Sequence, residues 1–133
     1  MTHQWVKQGY VIGFMTDKGV ILDLDNMTFK KAEWLARTLL SRYDLEGFLL
    51  VRSSEKSYHV VFNRYLSWKK ITTVLFSLYE AVRYAVFQMK EGCLTLRISK
   101  KNGKDKPKIL MTVGKTDKLI KDYLEVYETF KSY

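Results

Sequence analysis

The chain has 133 residues, of which 47% are apolar and 28% charged, so we expect one globular domain over residues 1–133. Its 23 Lys and Arg outnumber its 14 Asp and Glu, and the net charge of +9 favours a polyanionic partner such as nucleic acid. The single Cys93 excludes a disulfide framework. The apolar runs are short and the start lacks the features of a secretory leader, so we predict a cytoplasmic protein with no membrane contact.

The first half of the chain alternates between strand and helix patterns. A β-branched, apolar run predicts a strand over Val20–Asp25, with Tyr10–Thr16 as its hairpin partner. Apolar residues at helical spacing then predict a helix that begins after the N-cap Thr28. Two further strands, Phe48–Arg52 and Ser57–Asn63, are joined by a tight polar turn, which makes them a hairpin.

The second half of the chain contains two further helix patterns and a basic loop between two strands. Ser67 is the expected N-cap of a long helix, and Asn102-Gly103 is a turn signal. The predicted elements are a helix over Trp68–Met89 that buries Val86, a strand over Cys93–Ser99, a basic loop over Lys100–Lys108, a strand over Lys108–Val113 and a helix from about Asp117.

This order predicts an α+β fold with the split β-α-β-β-α-β arrangement of ferredoxin-like and RNA-recognition-motif-like sheets, plus an extra strand and a C-terminal helix. In that arrangement helices cover one face of the sheet, the first strand lies between the third and the fourth, and the other face is open. Residues two apart in a strand share a face. The alternation therefore places five polar side chains together on the open face: Asp23, Asp25, Ser57, His59 and Arg97.

Such a cluster has a definite chemistry. Two carboxylates at positions i and i+2 can share hard divalent cations, and their oxygen ligands suit Mg²⁺ or Mn²⁺. Cations held there can bridge to a triphosphate and stabilise the charges of phosphoryl transfer. A neighbouring His and Arg supply hydrogen-bond donors for phosphate oxygens.

Two segments resemble motifs of the archaeo-eukaryotic primase superfamily, and the resemblance covers about residues 18–100. The apolar strand ending in Asp-x-Asp is matched by Ile21-Leu22-Asp23-Leu24-Asp25. The small-residue turn followed by x-His and an apolar strand is matched by Ser53-Ser54-Glu55-Lys56-Ser57-Tyr58-His59-Val60-Val61-Phe62. The third motif of the family is often Arg-x-Asp, where this chain has Arg97-Ile98-Ser99.

The resemblance implies a small plasmid- or virus-type primase-polymerase of DNA replication, which transfers nucleotides from nucleoside triphosphates on a DNA or RNA template. It implies that Asp23 and Asp25 are the catalytic carboxylates and bind Mg²⁺ or Mn²⁺. Lys56, Ser57 and His59 would hold the triphosphate, and Arg97 would add a phosphate contact. A separate helicase or other replication protein would be its partner. The protein would act in the cytoplasm, which is that of the host cell if the protein is viral.

Two alternatives involve no enzyme. Because Ser99 stands where the family has its third carboxylate, the chain is alternatively a degenerate primase-like protein that binds nucleic acid without catalysis. The other alternative is an RNA-recognition module in which Tyr58 stacks on bases, although Asp23 would then repel the RNA backbone.

The loop at 100–108 carries five lysines and one acid, Asp105. Beside a polymerase-like site, Lys100, Lys101, Lys104 and Lys106 are expected to contact nucleic-acid phosphates. The simpler interpretation of this loop is a solvated hairpin tip.

Overall fold

The computed structural model describes residues 4–133, and the predicted α+β class is confirmed. Residues 1–3, where the absence of a leader was predicted, lie outside the described residues. The strands are β1 (Trp5–Gln8), β2 (Val11–Thr16), β3 (Ile21–Leu24), β4 (Gly47–Ser54), β5 (Ser57–Phe62), β6 (Leu94–Arg97) and β7 (Lys108–Gly114). The helices are α1 (Phe29–Tyr43), α2 (Trp68–Phe76), α3 (Val82–Met89) and α4 (Leu119–Thr129), with a 3-10 turn over Tyr79–Ala81.

The strands form two antiparallel sheets, β3-β5-β4-β7 and β1-β2-β6. The central order β3-β5-β4 is the order expected for the first, third and second strands of the split arrangement. The predicted hairpin between Tyr10–Thr16 and β3 is wrong, since β2 pairs with β1 and β6 instead. For the same reason β6 forms its ladder with β2, with Gly13 opposite Arg97, and not with β3 as predicted.

Helices lie on both faces of the four-stranded sheet. On one face, Phe29 of α1 packs against Tyr58 of β5 with ring centroids 6.3 Å apart. On the other face, the side chain of Asn63, just beyond β5, accepts hydrogen bonds from the first backbone N–H groups of α4, those of Lys118 at 2.9 Å and Ile120 at 3.3 Å. The prediction that the second face is open is therefore wrong where α4 begins against it.

The long helix predicted over Trp68–Met89 is interrupted. Its N-cap Ser67 is confirmed by a hydrogen bond from Lys70 N at 3.4 Å. The helix stops at Ser77, whose hydroxyl donates to the Val74 carbonyl at 2.6 Å, and Leu78 is extended with φ −115° and ψ 111°. The break turns the following segment, so that Val86, predicted to be buried, is 52% exposed.

The other boundaries follow the local sequence. Thr28 is the N-cap of α1, as predicted, and its hydroxyl accepts a hydrogen bond from Lys31 N at 3.2 Å. Asp44 ends the helix in the left-handed conformation with φ 50°. Within residues 4–133 we find no helix with the length and apolar character needed to cross a membrane.

Candidate functional site

Asp23 and Asp25 lie together at the end of β3. Asp23 is a register partner of His59 on β5, its side chain is 35% exposed, and Asp25 is exposed just beyond the strand. The Asp25 carboxylate lies within hydrogen-bonding reach of Asp23. Partial burial, together with the charge and hydrogen bond of Asp25, raises the pKa of Asp23 from 3.8 to about 7. Asp23 therefore carries a proton part of the time near pH 7, and a bound cation would take the place of that proton.

His59 is buried directly behind Asp23. Its side chain is 4% exposed, and its Nε2 lies 3.7 Å from Asp23 Oδ1. Burial and the nearby Arg97 guanidinium lower the pKa of His59 from 6.5 to about 3, so the imidazole is neutral. Its Nδ1 has no hydrogen-bond partner among residues 4–133. His59 was predicted to hold a triphosphate, but its imidazole is buried and lies against the Asp23 carboxylate instead.

Arg97 also differs from its predicted role. Its guanidinium donates to three backbone carbonyls: Nη1 to Ser99 and to Asp105 at 3.0 Å, and Nη2 to Ser53 at 2.7 Å. It thereby ties the turn between β4 and β5 to the basic loop. Arg97 was predicted to contact phosphate, whereas here it holds two loops in place. Its charge still lowers the pKa of Asp23, and burial lowers its own pKa.

Ser99 is fully buried and has a structural role. Its hydroxyl accepts a hydrogen bond from Ile12 N at 2.8 Å and donates to the Lys100 carbonyl at 3.1 Å, which joins the end of β6 to β2. Ser99 does not supply the third carboxylate of the family pattern. Within the described part of the chain, no group of three or more His, Cys, Asp and Glu side chains is arranged to hold a metal.

Lys56 and Ser57 lie beside the segment that follows Asp25. The carbonyl of Lys56 accepts a hydrogen bond from Met27 N at 3.0 Å, which fixes the turn between β4 and β5 against that segment. Lys56 is exposed and Ser57 is half-buried. The structure therefore brings these two residues to the edge of the Asp pair, where the resemblance expects phosphate ligands.

A cationic groove of 380 Å³ lies between this turn and the basic loop. Its basic lining residues are Arg52, Lys104, Lys106 and Lys108, and its acidic ones are Glu55 and Asp105. The charge of Lys104 lowers the pKa of Asp23, so this lysine of the groove is close enough to act on that carboxyl group. Lys104 pairs with Lys101 through backbone hydrogen bonds of 3.1 and 2.7 Å, so the loop is a hairpin tip with both lysines exposed.

Lys106 and Lys100 contribute differently. The Lys106 ammonium donates to the carbonyls of Ile98 at 3.0 Å and Phe130 at 2.8 Å, and it lies 4.3 Å from the Tyr127 ring centroid. Those internal contacts anchor the loop to the end of α4 and occupy the ammonium group that was predicted to contact phosphate. Lys100 is exposed, and its backbone N–H donates to the Tyr133 carbonyl at 2.9 Å.

Sequence reasoning missed two groove residues, Arg52 and Lys108. They are register partners on β4 and β7, and both are exposed. Arg52 also lies over the Tyr58 ring, with its guanidinium carbon 5.7 Å from the centroid. The pairing of β4 with β7 would have placed the two cations together, but no pattern in the sequence specifies that pairing.

Tyr58 is not available to stack on bases. It is 2% exposed and packs under α1, on the face of the sheet opposite Asp23 and His59. The hypothesis of an RNA-recognition module with Tyr58 as its platform is therefore wrong.

Comparison of the chain with protein-family profiles, curated proteins and solved structures gives no match. The resemblance to the primase superfamily consequently depends on the two motifs themselves.

The donor set at Asp23 and Asp25 fits one hard divalent cation. Mg²⁺ is commonly held by one or two carboxylates, with substrate phosphates and waters filling its remaining positions. Asp25 is exposed and Asp23 is half-buried, so both carboxylates are accessible from the surface. Two protein carboxylates suffice for a cation that a triphosphate helps to coordinate, and without a phosphate ligand we expect weak binding.

Proposed function

We propose that this protein is a primase-polymerase-like nucleotidyltransferase that acts on a nucleic-acid template in DNA replication and depends on Mg²⁺ or Mn²⁺. The observation that carries the proposal is the pair of neighbouring carboxylates, Asp23 and Asp25, together with a cationic groove whose Lys104 is close enough to lower the pKa of Asp23. Carboxylates attract a divalent cation and lysines attract phosphates, so the two features together favour a ligand that carries both.

Each neighbour of the pair has a role in this proposal. Asp23 and Asp25 would hold the cation, which supplies Lewis-acid stabilisation of phosphate charge when it is bound. Lys56 and Lys104 would neutralise the phosphates of the incoming nucleotide or the template. His59 lies against the Asp23 carboxylate, and Arg97 fixes the two walls of the groove.

A second candidate function is nucleic-acid binding without catalysis. It is favoured by Ser99, whose hydroxyl is committed to two backbone hydrogen bonds at a position where the family often has an acid. In this case the groove would bind the phosphate backbone, and the Asp pair would serve no chemical step.

Nucleotide incorporation distinguishes the two candidates. Wild-type protein is incubated with labelled nucleoside triphosphates, Mg²⁺ or Mn²⁺, and primed or unprimed DNA and RNA templates. The test variant is Asp23→Ala/Asp25→Ala. A matched control, Glu125→Ala/Glu128→Ala, removes the same charge from exposed positions on α4. Template binding is measured in parallel by fluorescence anisotropy.

The first proposal predicts metal-dependent incorporation that is lost in the aspartate variant and retained in the control. Template binding should be unchanged or slightly tighter in the aspartate variant, because negative charge is removed from the pair. Template binding without any incorporation by wild-type protein would support the second candidate. The absence of both activities would contradict both candidates.

A further inference from the structure

An apolar groove of 650 Å³ lies on the side of the molecule formed by α3 and the 3-10 turn. Tyr79 and Phe87 are 89% and 69% exposed, and Val86 is also exposed. These side chains line the groove together with Val82. Contiguous exposed apolar side chains on a folded domain mark interaction surfaces, because single exposed residues are common but clusters are costly.

The charges around this groove are predominantly positive. Arg83 and Lys90 line it, at helical positions one turn before and one turn after Val86 and Phe87. The acidic residue of the lining, Glu80, forms an ion pair with Lys31 at 3.2 Å. Among the ion pairs formed by residues 4–133, none involves Arg83 or Lys90. Within the described part of the chain, the groove therefore combines an apolar floor with two cations that form no ion pair.

The shape and charge of the groove select among possible occupants. A second copy of this chain would bring the same cations and the same net charge of +9, so self-association is opposed electrostatically. The 650 Å³ groove has room for side chains of a protein segment, and an anionic membrane surface, the other source of negative charge, is tested separately. An acidic segment supplies both the apolar contacts and the opposite charge.

We propose that the groove over Tyr79–Lys90 binds an acidic amphipathic segment of a partner protein. Apolar side chains of that segment enter the groove beside Val86 and Phe87, and its carboxylates pair with Arg83 and Lys90. This inference does not depend on the proposed function, because the groove includes none of the residues of the Asp pair or the cationic groove.

A synthetic peptide of about 18 residues tests the proposal. It carries Leu and Phe at positions i, i+3, i+4 and i+7 of a helix, and Glu on the flanks of that stripe. One control peptide has the same residues in scrambled order, and another has Lys in place of Glu. Binding is measured by fluorescence anisotropy with wild-type protein, with Phe87→Ser and with Arg83→Glu/Lys90→Glu. The matched control is Tyr10→Ser, an exposed aromatic in the turn between β1 and β2 that does not line the groove.

We expect micromolar binding of the acidic peptide and much weaker binding of both control peptides. Phe87→Ser and Arg83→Glu/Lys90→Glu should each weaken binding about tenfold or more, with Tyr10→Ser unchanged. The proposal is overturned if no acidic peptide binds at millimolar concentration, or if the lysine peptide binds equally well.

Two further measurements address the other occupants. Sedimentation of wild-type protein should give a monomer; a dimer that Phe87→Ser dissociates would overturn the proposal in favour of a second copy. Any binding of anionic phospholipid vesicles through the net charge should be the same for wild-type protein and Phe87→Ser. A loss of vesicle binding in Phe87→Ser, without any binding of the acidic peptide, would overturn the proposal in favour of a membrane surface.

Discussion

Asp23 and His59 are register partners across the ladder between β3 and β5, and Asp23 Oδ1 lies 3.7 Å from His59 Nε2. The two groups depart from their ordinary pKa values in opposite senses. Burial and Asp25 raise the pKa of Asp23 to about 7, while burial and Arg97 lower that of His59 to about 3. At neutral pH the contact is thus between an Asp23 carboxyl group that is protonated part of the time and a neutral His59 imidazole.

These shifts give opposite pH dependences of the free energy of unfolding. From pH 3.8 to about 7, the folded protein keeps a proton on Asp23 that the unfolded chain has lost, so this stabilising contribution is lost as the pH rises. From pH 6.5 down to about 3, the unfolded chain protonates His59 while the folded protein does not, so this contribution is lost as the pH falls. The two effects oppose each other where the ranges overlap.

Asp23→Asn is expected to remove the first effect and leave the second. Its free energy of unfolding relative to wild type should therefore increase as the pH rises from about 4 to 7, because only wild type loses stability by releasing the Asp23 proton. Urea unfolding at several pH values measures the difference. Asp25→Asn removes one cause of the raised pKa of Asp23. In this variant, the loss of stability with rising pH should therefore occur at lower pH than in wild type. A constant difference between Asp23→Asn and wild type would contradict the raised pKa.

Arg97→Lys is expected to loosen the walls of the cationic groove. A lysine keeps the charge but cannot donate from two guanidinium nitrogens to Ser53 and Asp105 at once. Hydrogen bonds to charged groups contribute about 1.5–3 kcal/mol, so we expect a loss of that order in the free energy of unfolding. Amide hydrogen exchange over residues 103–108 should also accelerate. The exposed Arg42→Lys serves as a control, and equal exchange in both variants would rule out the bracing role of Arg97.

Asn63→Ala is expected to loosen the start of α4. The Asn63 side chain accepts from Lys118 N and Ile120 N and donates to Asp117 at 3.0 Å, while Lys118 gives the helix no side-chain cap of its own. Leaving these groups without partners should cost about 1–3 kcal/mol. Urea unfolding measures the loss, with the exposed Asn102→Ala as its control. A variant as stable as wild type would show that α4 docks without this cap.

The local elements could be predicted from the sequence, since their signals are local. The Thr28 and Ser67 caps and the two strands of the β4–β5 hairpin follow from residues within a few positions of each element. The break at Ser77 could not be predicted, because the apolar stripe continues through it. Its cause is a side-chain hydrogen bond and the burial of Leu78.

The candidate site was predictable only in part. The alternation along β3 and β5 correctly puts Asp23 and His59 on one face, because residues two apart always share a face. Alternation does not show how deep a side chain lies, so the burial of His59 could not be predicted from it. It also cannot specify which strands pair, so the contribution of Arg52 and Lys108 to the groove was missed.

The cationic groove predicts salt-sensitive binding of nucleic acid. In Lys101→Ala/Lys104→Ala, the log–log slope of affinity against salt concentration should decrease by about 0.7–0.9 for each phosphate that the loop no longer neutralises. Anisotropy of a labelled oligonucleotide at several salt concentrations measures this slope. The control Lys30→Ala/Lys121→Ala removes the same charge from exposed positions on α1 and α4. Equal slopes for the two variants would indicate that net charge, and not this loop, determines binding.

Mn²⁺ titration followed by electron paramagnetic resonance tests most directly whether Asp23 and Asp25 together hold a divalent cation. A cation must displace the proton of Asp23, whose pKa is about 7, so wild-type affinity should be about tenfold lower at pH 6 than at pH 8. Asp23→Asn/Asp25→Asn should bind no Mn²⁺, and added nucleoside triphosphate should tighten binding in wild type alone. Equal Mn²⁺ binding by wild type and this variant, or none by wild type at pH 8 with triphosphate present, would contradict a cation site at this pair.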